Sequence, residues 1–182
     1  MQLKKHISIL FAGRGGQGVL TASLITAHAF FLSGYDVKKS DIKGIARRGG
    51  RVLSTLIAGE KIYSPKVTPE TADIVVLFSK DHYFTFSDSA VSVAPTDEEV
   101  EKYRRNVNVF CLGKLSILLD IHLKNWEEAI QERFDNDTAQ FNLRAFYEGK
   151  KAAEFMQDHR NGPFGCKKEQ ARKDLIMEKE TC

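Results

Sequence analysis

Apolar residues gather in short unbroken runs in the first half of the chain and recur at helical spacing in the second half. The run at residues 6–12 is bounded by lysines and a glycine, which is typical of a buried parallel strand. A glycine-rich turn follows. Between Val19 and Phe31 apolar residues then recur at the spacing of an amphipathic helix, and Gly34 stands where a glycine commonly ends one. The chain therefore opens with a strand, a turn and a helix.

Strand patterns continue toward the middle of the chain. Residues 52–58 alternate between an apolar and a mixed face, and Gly59 and Glu60 are placed to turn them into a hairpin with residues 61–63. The run at residues 72–79 is apolar throughout its centre, so we expect it in the middle of the sheet, covered on both faces. The other predicted strands are residues 35–39 and 91–94.

Helical patterns dominate after these strands. Thr96 followed by Glu99 is a capping-box signature, and Asn125 is placed to cap a later helix. The strand, turn and helix that open the chain predict an α/β fold, in which strands come early and helices dominate late. We expect a three-layer α/β/α sandwich on a Rossmann-like, mostly parallel sheet with a β-hairpin. The predicted helices are residues 97–105, 108–123, 126–134 and 138–156.

Composition limits the class of protein. With 182 residues, 42% hydrophobic and 28% charged, the chain is globular and long enough for one domain. We place that domain at residues 1–160 and a charged tail, flexible or dependent on a partner, at residues 161–182. The net charge of +3 falls short of the concentrated positive field of a nucleic-acid binder. We therefore expect no nucleic-acid partner.

Membrane, export and disulfide signals are weak. The apolar stretch at residues 19–32 is interrupted by polar residues and is shorter than the roughly 20 residues that a membrane span needs. The N-terminus carries no cleavage pattern of an export signal. Cys111, Cys166 and Cys182 are odd in number and far apart, unlike a disulfide framework or a metal knuckle. These observations favour a reducing cytoplasm, no membrane partner and no metal site.

The glycine turn carries the strongest candidate chemistry. Gly13, Gly15 and Gly18 form a GxGxxG pattern between a strand and a helix, the context in which backbone N–H groups cradle phosphates. Arg14 would add positive charge, but glycines also serve tight packing at such turns. A nicotinamide site needs an acid after the second strand; Asp41 lies at about that distance but leads into an arginine-glycine loop, which disfavours this interpretation.

Four motifs stand out along the chain. They are GRGGQGVLTAS at residues 13–23, SDIKGIARRGGRV at 40–52, GEKIYSP at 59–65 with ADIVV at 72–76, and NLRAFYEG at 142–149. Together they resemble the gamma, or common, domain of 2-oxoacid:ferredoxin oxidoreductases, and most closely the beta subunit of indolepyruvate ferredoxin oxidoreductase. The segment that bridges the strand at residues 72–79 to the later helices is shorter than is usual in that family.

The resemblance implies a function. It predicts an accessory subunit, without catalytic residues or cofactors of its own, of an enzyme that oxidatively decarboxylates a 2-oxoacid such as indolepyruvate, pyruvate or ketoisovalerate. Thiamine diphosphate, iron-sulfur clusters and coenzyme A are expected in the complex, on a larger partner subunit that passes electrons to ferredoxin. The isolated chain would be inactive and could self-associate. The alternative is a stand-alone Rossmann-like protein that binds a nucleotide or coenzyme A.

Two groups of residues are candidates for the site. Gln17 either points outward from its loop or bonds its own backbone, and the arginines that follow the second strand either contact a partner, hold coenzyme A phosphates or are simply solvated. The glycine loop fits a ligand as well as a partner. The candidates for ligand binding are Gly13, Arg14, Gly15, Gly16, Gln17 and Gly18, and those for contact with a partner or coenzyme A are Arg47, Arg48, Gly49, Gly50, Arg51 and Asn142.

Overall fold

The computed structural model describes residues 6–43, 49–65, 67–78 and 90–160. Five strands form one sheet in the order β2-β3-β1-β4-β5. β1 pairs in parallel with β4, which pairs in parallel with β5, whereas β3 pairs antiparallel with both β1 and β2. The strands are β1 (His6–Arg14), β2 (Asp36–Lys43), β3 (Arg51–Gly59), β4 (Ile74–Leu77) and β5 (Val91–Val93).

The predicted α/β class is confirmed, but the sheet is mixed and not mostly parallel, because β3 pairs antiparallel along both of its edges. The predicted hairpin between residues 52–58 and 61–63 was wrong in its partner. β3 is paired along one edge with β1 and along the other with β2, so neither edge is left for residues 61–63. The Ile62 N–H donates instead to the Asp36 carboxylate at 2.8 Å, and the Ile62 side chain is buried. β2, which we expected to be shorter, supplies the hairpin partner.

β4 lies centrally, as predicted. Its four residues are buried, and it lies between β1 and β5. A polar contact holds its entry to β1: the Ser8 N–H and hydroxyl donate to the Asp73 carboxylate at 2.9 and 2.7 Å. Because a carboxylate accepts such bonds strongly, this contact fixes where β4 enters the sheet.

The helices follow the predicted order with shifted ends. α3 stops before residue 123 because the N–H groups of Leu118 and Leu119 bond carbonyls three residues back, which tightens the last turn. Asn125 does not cap α4; its amide donates to the Ser33 hydroxyl at 2.8 Å, at the end of α1. The helices are α1 (Val19–Leu32), α2 (Asp97–Tyr103), a 3-10 turn (Arg104–Asn106), α3 (Val107–Ser116), α4 (Leu123–Arg133) and α5 (Asn136–Arg160).

The two faces of the sheet are covered differently. Ile9 and Phe11 of β1 face the main core, to which α1, α3, α4 and α5 all contribute buried residues. Leu10, Val75 and Leu77 belong to a smaller cluster on the opposite face. Within the described ranges no helix contributes to that second cluster, so the outer helical layer of the predicted sandwich is not formed there. None of the helices described is long and apolar enough to cross a membrane.

α3 and α5 approach each other at two glycines. A Cβ built on Gly113 would lie 2.7 Å from the backbone nitrogen of Lys150 and 2.9 Å from the carbonyl carbon of Phe146, both in α5. A Cβ on Gly149 would lie 2.8 Å from the Phe110 carbonyl carbon of α3. Real Cβ atoms do not come this close to backbone, so each glycine lets the opposite main chain touch its helix.

A buried ion pair joins α2 to α3. Lys114 Nζ donates to Glu99 Oε2 at 2.6 Å and to the Ala94 carbonyl at 3.3 Å. The predicted capping box is confirmed, since the Thr96 hydroxyl accepts the Glu99 N–H and the Glu99 carboxylate accepts the Thr96 N–H at 2.7 Å. Glu99 therefore caps α2 and neutralises a buried ammonium at the same time.

Candidate functional site

The glycine loop is closed by its own glutamine. The Gln17 N–H donates to the Arg14 carbonyl at 3.1 Å, and the Arg14 N–H donates to Gln17 Oε1 at 2.7 Å. Of the two alternatives for Gln17, the structure has the side chain bonded to its own loop. Gly16 and Gly18 have φ values of 96° and 76°, which L side chains rarely adopt. The loop therefore has a defined shape before anything binds to it.

Gly18 also contacts the start of α3. A Cβ at Gly18 would lie 2.8 Å from Asn108 Cγ, and the Asn108 amide donates to the Gly18 carbonyl at 3.4 Å. Sequence reasoning missed Asn108 as part of this site. The sequence shows only an asparagine at the start of an otherwise apolar helix. That pattern does not indicate that Asn108 contacts a loop 90 residues earlier in the chain.

The second candidate loop docks on the first. The Gly15 N–H donates to the Gly50 carbonyl at 2.8 Å, and Arg14 lies directly opposite Arg51 in the β1–β3 ladder. Gly49, with a φ of 63°, makes the turn into β3. The structure therefore brings residues 13–18 and 49–51 together, and we call them the double-loop surface. Arg47 and Arg48 lie outside the described residues.

Asn142 is not part of this surface. Gly149 meets Phe110 and Gly113 meets Phe146, so α5 runs antiparallel to α3. Asn142 therefore lies beyond the Gly113 end of α3, whereas the opposite end carries the residue that contacts Gly18. Its buried amide donates to the Thr138 carbonyl of its own helix at 2.9 Å.

Asp41, the acid weighed for a nicotinamide site, is engaged within the chain. It pairs with Lys39, and its carboxylate accepts a hydrogen bond from the Ser54 hydroxyl at 2.6 Å. The Ser54 oxygen also lies 2.8 Å from the Ser23 oxygen of α1. Asp41 therefore helps to attach the edge strand β2 to β3 and α1.

The electrostatics of the double-loop surface favour an anion or an acidic partner. Gly18 is the N-cap of α1 and no side chain caps the helix there, so the N–H groups of its first turn, which point toward the loop, receive no capping bond. The helix dipole adds partial positive charge there, and Arg14 and Arg51 are like charges placed opposite each other. No group of residues suited to hold a metal ion is found in the part of the chain described.

Cys111 is expected to be chemically inert in the folded chain. It lies in the core on α3, and burial raises the pKa of its thiol to about 12. At pH 8 about one molecule in ten thousand would carry the reactive thiolate. In a Cys166→Ser/Cys182→Ser variant, we expect no reaction with a disulfide reagent at pH 8 during the minutes in which the guanidinium-unfolded chain reacts fully. Rapid labelling of the native variant would contradict the buried placement.

Known proteins are similar to this chain. A family model described as pyruvate ferredoxin/flavodoxin oxidoreductase matches residues 8–96. The indolepyruvate oxidoreductase subunit IorB of Thermococcus kodakarensis is 34% identical over 74 residues, which cover 41% of this chain and 37% of that subunit. The pyruvate/ketoisovalerate oxidoreductases common subunit gamma of Thermococcus litoralis is 28% identical over 171 residues, 76% of this chain and 92% of that subunit.

A solved structure has the same fold. The 2-oxoglutarate:ferredoxin oxidoreductase of Magnetococcus marinus, with 2-oxoglutarate, coenzyme A and succinyl-CoA bound, superposes with a TM-score of 0.69 at 21% identity, covering 84% of this chain and 32% of that one. The chain spans about 37% of the length of the indolepyruvate oxidoreductase subunits that it matches, and nearly the full length of the common gamma subunit.

Proposed function

We propose a function from the premise that this chain carries a domain of the pyruvate ferredoxin/flavodoxin oxidoreductase family: it is the gamma-type accessory subunit of a multi-subunit 2-oxoacid:ferredoxin oxidoreductase. The observation that carries the proposal is the similarity to a common gamma subunit over 92% of that subunit's length. The substrates named for its relatives, indolepyruvate, pyruvate, ketoisovalerate and 2-oxoglutarate, are the ones to test.

The cofactors of such a reaction belong to a larger partner in this proposal. Thiamine diphosphate supplies the decarboxylation chemistry, and iron-sulfur clusters lead electrons to ferredoxin. A four-thiolate cluster does not fit this chain, because the sequence has three cysteines and the described one, Cys111, is buried in the core. Nor do the described ranges contain a group of acidic residues, histidines and cysteines for the magnesium of a diphosphate. This chain would therefore contribute contacts and no redox group.

The double-loop surface is the proposed contact with the partner subunit and coenzyme A. A Cβ at Gly16 or Gly49 would meet nothing within 4 Å, so a partner can approach the backbone of the two loops closely at these glycines. Arg14 and Arg51 can read carboxylates or phosphates with two bonds each. The related Magnetococcus enzyme holds coenzyme A, so coenzyme A is the phosphate ligand to test at these arginines.

Copurification tests the proposal. We would express the tagged chain in its native host, isolate what it binds and measure reduction of methyl viologen with each of the four 2-oxoacids and coenzyme A. The expected result is a complex that contains iron and thiamine diphosphate and is active with at least one 2-oxoacid, whereas the chain alone is inactive. Capture of no such subunit, with tight binding of NAD, FAD or coenzyme A by the isolated chain in calorimetry, would favour a stand-alone binding protein instead.

An Arg14→Ala/Arg51→Ala variant tests the surface. If these side chains hold coenzyme A, the complex still forms and its KM for coenzyme A rises about tenfold, because each charge-assisted bond contributes about 1.5–3 kcal/mol before losses to solvent. If they hold the partner, less partner is captured. A Lys61→Ala/Lys124→Ala variant, which removes the same charge from two exposed lysines elsewhere, is the control. Equal behaviour of both variants would remove the double-loop surface from the proposal.

A further inference from the structure

A groove of about 420 Å³ lies between the end of α2 with its 3-10 turn on one side and α5 on the other. It is separate from the double-loop surface and shares no residue with it. The α2 side is lined by Lys102, Tyr103, Arg104 and Arg105. The α5 side contributes residues one helical turn apart on a single face, among them Phe141, Arg144 and Glu148.

The charge of the groove is strongly positive. Glu148 is the one carboxylate among the described lining residues, and it accepts hydrogen bonds from Lys102 at 3.1 Å and from the Tyr103 hydroxyl. These bonds hold the pKa of Glu148 below its usual range, so it stays ionised and paired. Arg104, Arg105 and Arg144 have no ion pair with any residue that the structure describes. Three guanidiniums therefore line the groove without a compensating anion from the described part of the chain.

Arg104 carries backbone strain at this groove. Its φ of 44° and ψ of −107° make it the one non-glycine residue with a positive φ in the described ranges. Such a conformation is strained and persists where the surrounding structure holds it. The strained turn ends α2 and places Arg104 on the groove wall. A glycine would make the turn without strain, but it would remove the guanidinium.

An apolar anchor accompanies the arginines. Phe141 is 63% exposed although it lines the groove. Exposed aromatic rings and arginines are enriched at protein interfaces. A small-molecule site would enclose about 70–90% of its ligand, whereas this groove is an open channel between two helices. The geometry therefore favours an extended stretch of polypeptide over a compact ligand.

We propose that this groove binds an acidic segment of a partner polypeptide, whose carboxylates pair with Arg104, Arg105 and Arg144 while an apolar side chain covers Phe141. The proposal goes beyond the accessory-subunit function, because it needs neither a 2-oxoacid nor coenzyme A. It also holds for the chain by itself. If the groove does not bind an acidic segment, the proposed enzyme complex still stands. If the enzyme complex does not form, the groove proposal still stands.

A labelled peptide is the probe. It is a fluorescein-labelled peptide of twelve residues, all aspartate or glutamate except one central leucine, and its counterpart carries the corresponding amides. Fluorescence anisotropy with the full chain gives the affinity at about 50 mM and about 300 mM salt, since screening weakens exposed charge contacts. We expect binding of the acidic peptide alone, weaker at the higher salt.

Two charge-reversed variants of equal net charge separate the groove from the general field of the protein. Arg104→Glu/Arg144→Glu reverses the groove, and Lys124→Glu/Arg133→Glu reverses two exposed cations of α4. We expect the groove variant to bind the acidic peptide at least about tenfold more weakly and the α4 variant to stay within about twofold. Circular dichroism establishes that both are folded.

Replacing Arg104 by glycine distinguishes loss of the binding site from loss of the fold, because stability and peptide binding are expected to change in opposite directions. Arg104→Gly is expected to raise the melting temperature by about 2–4 °C, because it relieves strain, and yet to weaken peptide binding. Arg105→Gly, at a residue without a positive φ, is expected to lower the melting temperature.

Four results would overturn the proposal: unchanged binding in the groove variant, an equal loss in the α4 variant, equal binding of the amide peptide, or tighter binding of coenzyme A or of a twelve-nucleotide RNA that is lost in the groove variant. Any of the first three results would mean that the groove does not bind acidic polypeptide specifically. The fourth assigns it a different occupant.

Discussion

Replacing Gly149 by alanine is expected to lower the melting temperature of the chain by about 6 °C, or about 2–3 kcal/mol of unfolding free energy. The added Cβ would lie 2.8 Å from the Phe110 carbonyl carbon, and neither main chain can rotate out of the way as a side chain could. α3 and α5 would have to move apart, which loosens the core around Phe110 and Phe146. Alanine favours a helix interior by about 1 kcal/mol over glycine, so the measured loss is what remains after that gain.

Gln140→Ala is the control for this prediction, because Gln140 is exposed on the same helix and its substitution touches nothing in the core. We expect its melting temperature to stay within about 1 °C of that of the unaltered chain. Gly113→Ala should lower the melting temperature as Gly149→Ala does, since its Cβ would lie 2.7 Å from the backbone nitrogen of Lys150. A stable Gly149→Ala chain would mean that the two helices lie farther apart than described.

Replacing Glu99 by alanine is expected to cost about 3 kcal/mol or more, because it leaves a buried ammonium without its counter-ion. The Lys114 side chain is 9% exposed and that of Glu99 is 16% exposed, so water replaces the lost partner poorly. The substitution also removes one half of the capping box of α2. Chemical denaturation, read by circular dichroism, measures the loss.

Glu98→Ala provides the matched control, since Glu98 is the neighbouring glutamate on the same first turn and is exposed. It should change stability by less than about 0.5 kcal/mol. A Glu99→Ala/Lys114→Met chain tests the cause, because it removes the stranded ammonium as well. We expect it to recover more than half of the loss; no recovery would show that the cap, and not the ion pair, dominates.

Elements that depend on nearby residues were predicted well from the sequence. The strand, glycine turn and helix at the start, the buried β4 and the capping box at Thr96 all follow from patterns that span a few positions. The hairpin was assigned to the wrong partner, because β3 pairs with β2 through a register that no local pattern encodes. Asn125 was taken for a cap because it precedes an apolar stretch, yet its amide reaches across to Ser33.

Only the local features of the candidate site could be predicted from the sequence, because the rest depends on contacts between distant segments. The glycines of the first loop stand out in the sequence, but their contact with Gly50 and with Asn108 depends on how distant segments fold together. Asn142, singled out from a motif, bonds its own helix. The basic groove escaped notice because Arg104 and Arg144 are 40 positions apart and meet only where α2 packs beside α5.

The contact between α3 and α5 has an evolutionary consequence. At each glycine, the main chain of the opposite helix occupies the place of a Cβ. Neither glycine is required because the other lacks a side chain. No substitution on the partner helix can make room, because every residue type has the same carbonyl and amide. Among relatives that keep this crossing, positions 113 and 149 should therefore each be invariant on their own, and a search for co-varying pairs should fail to link them.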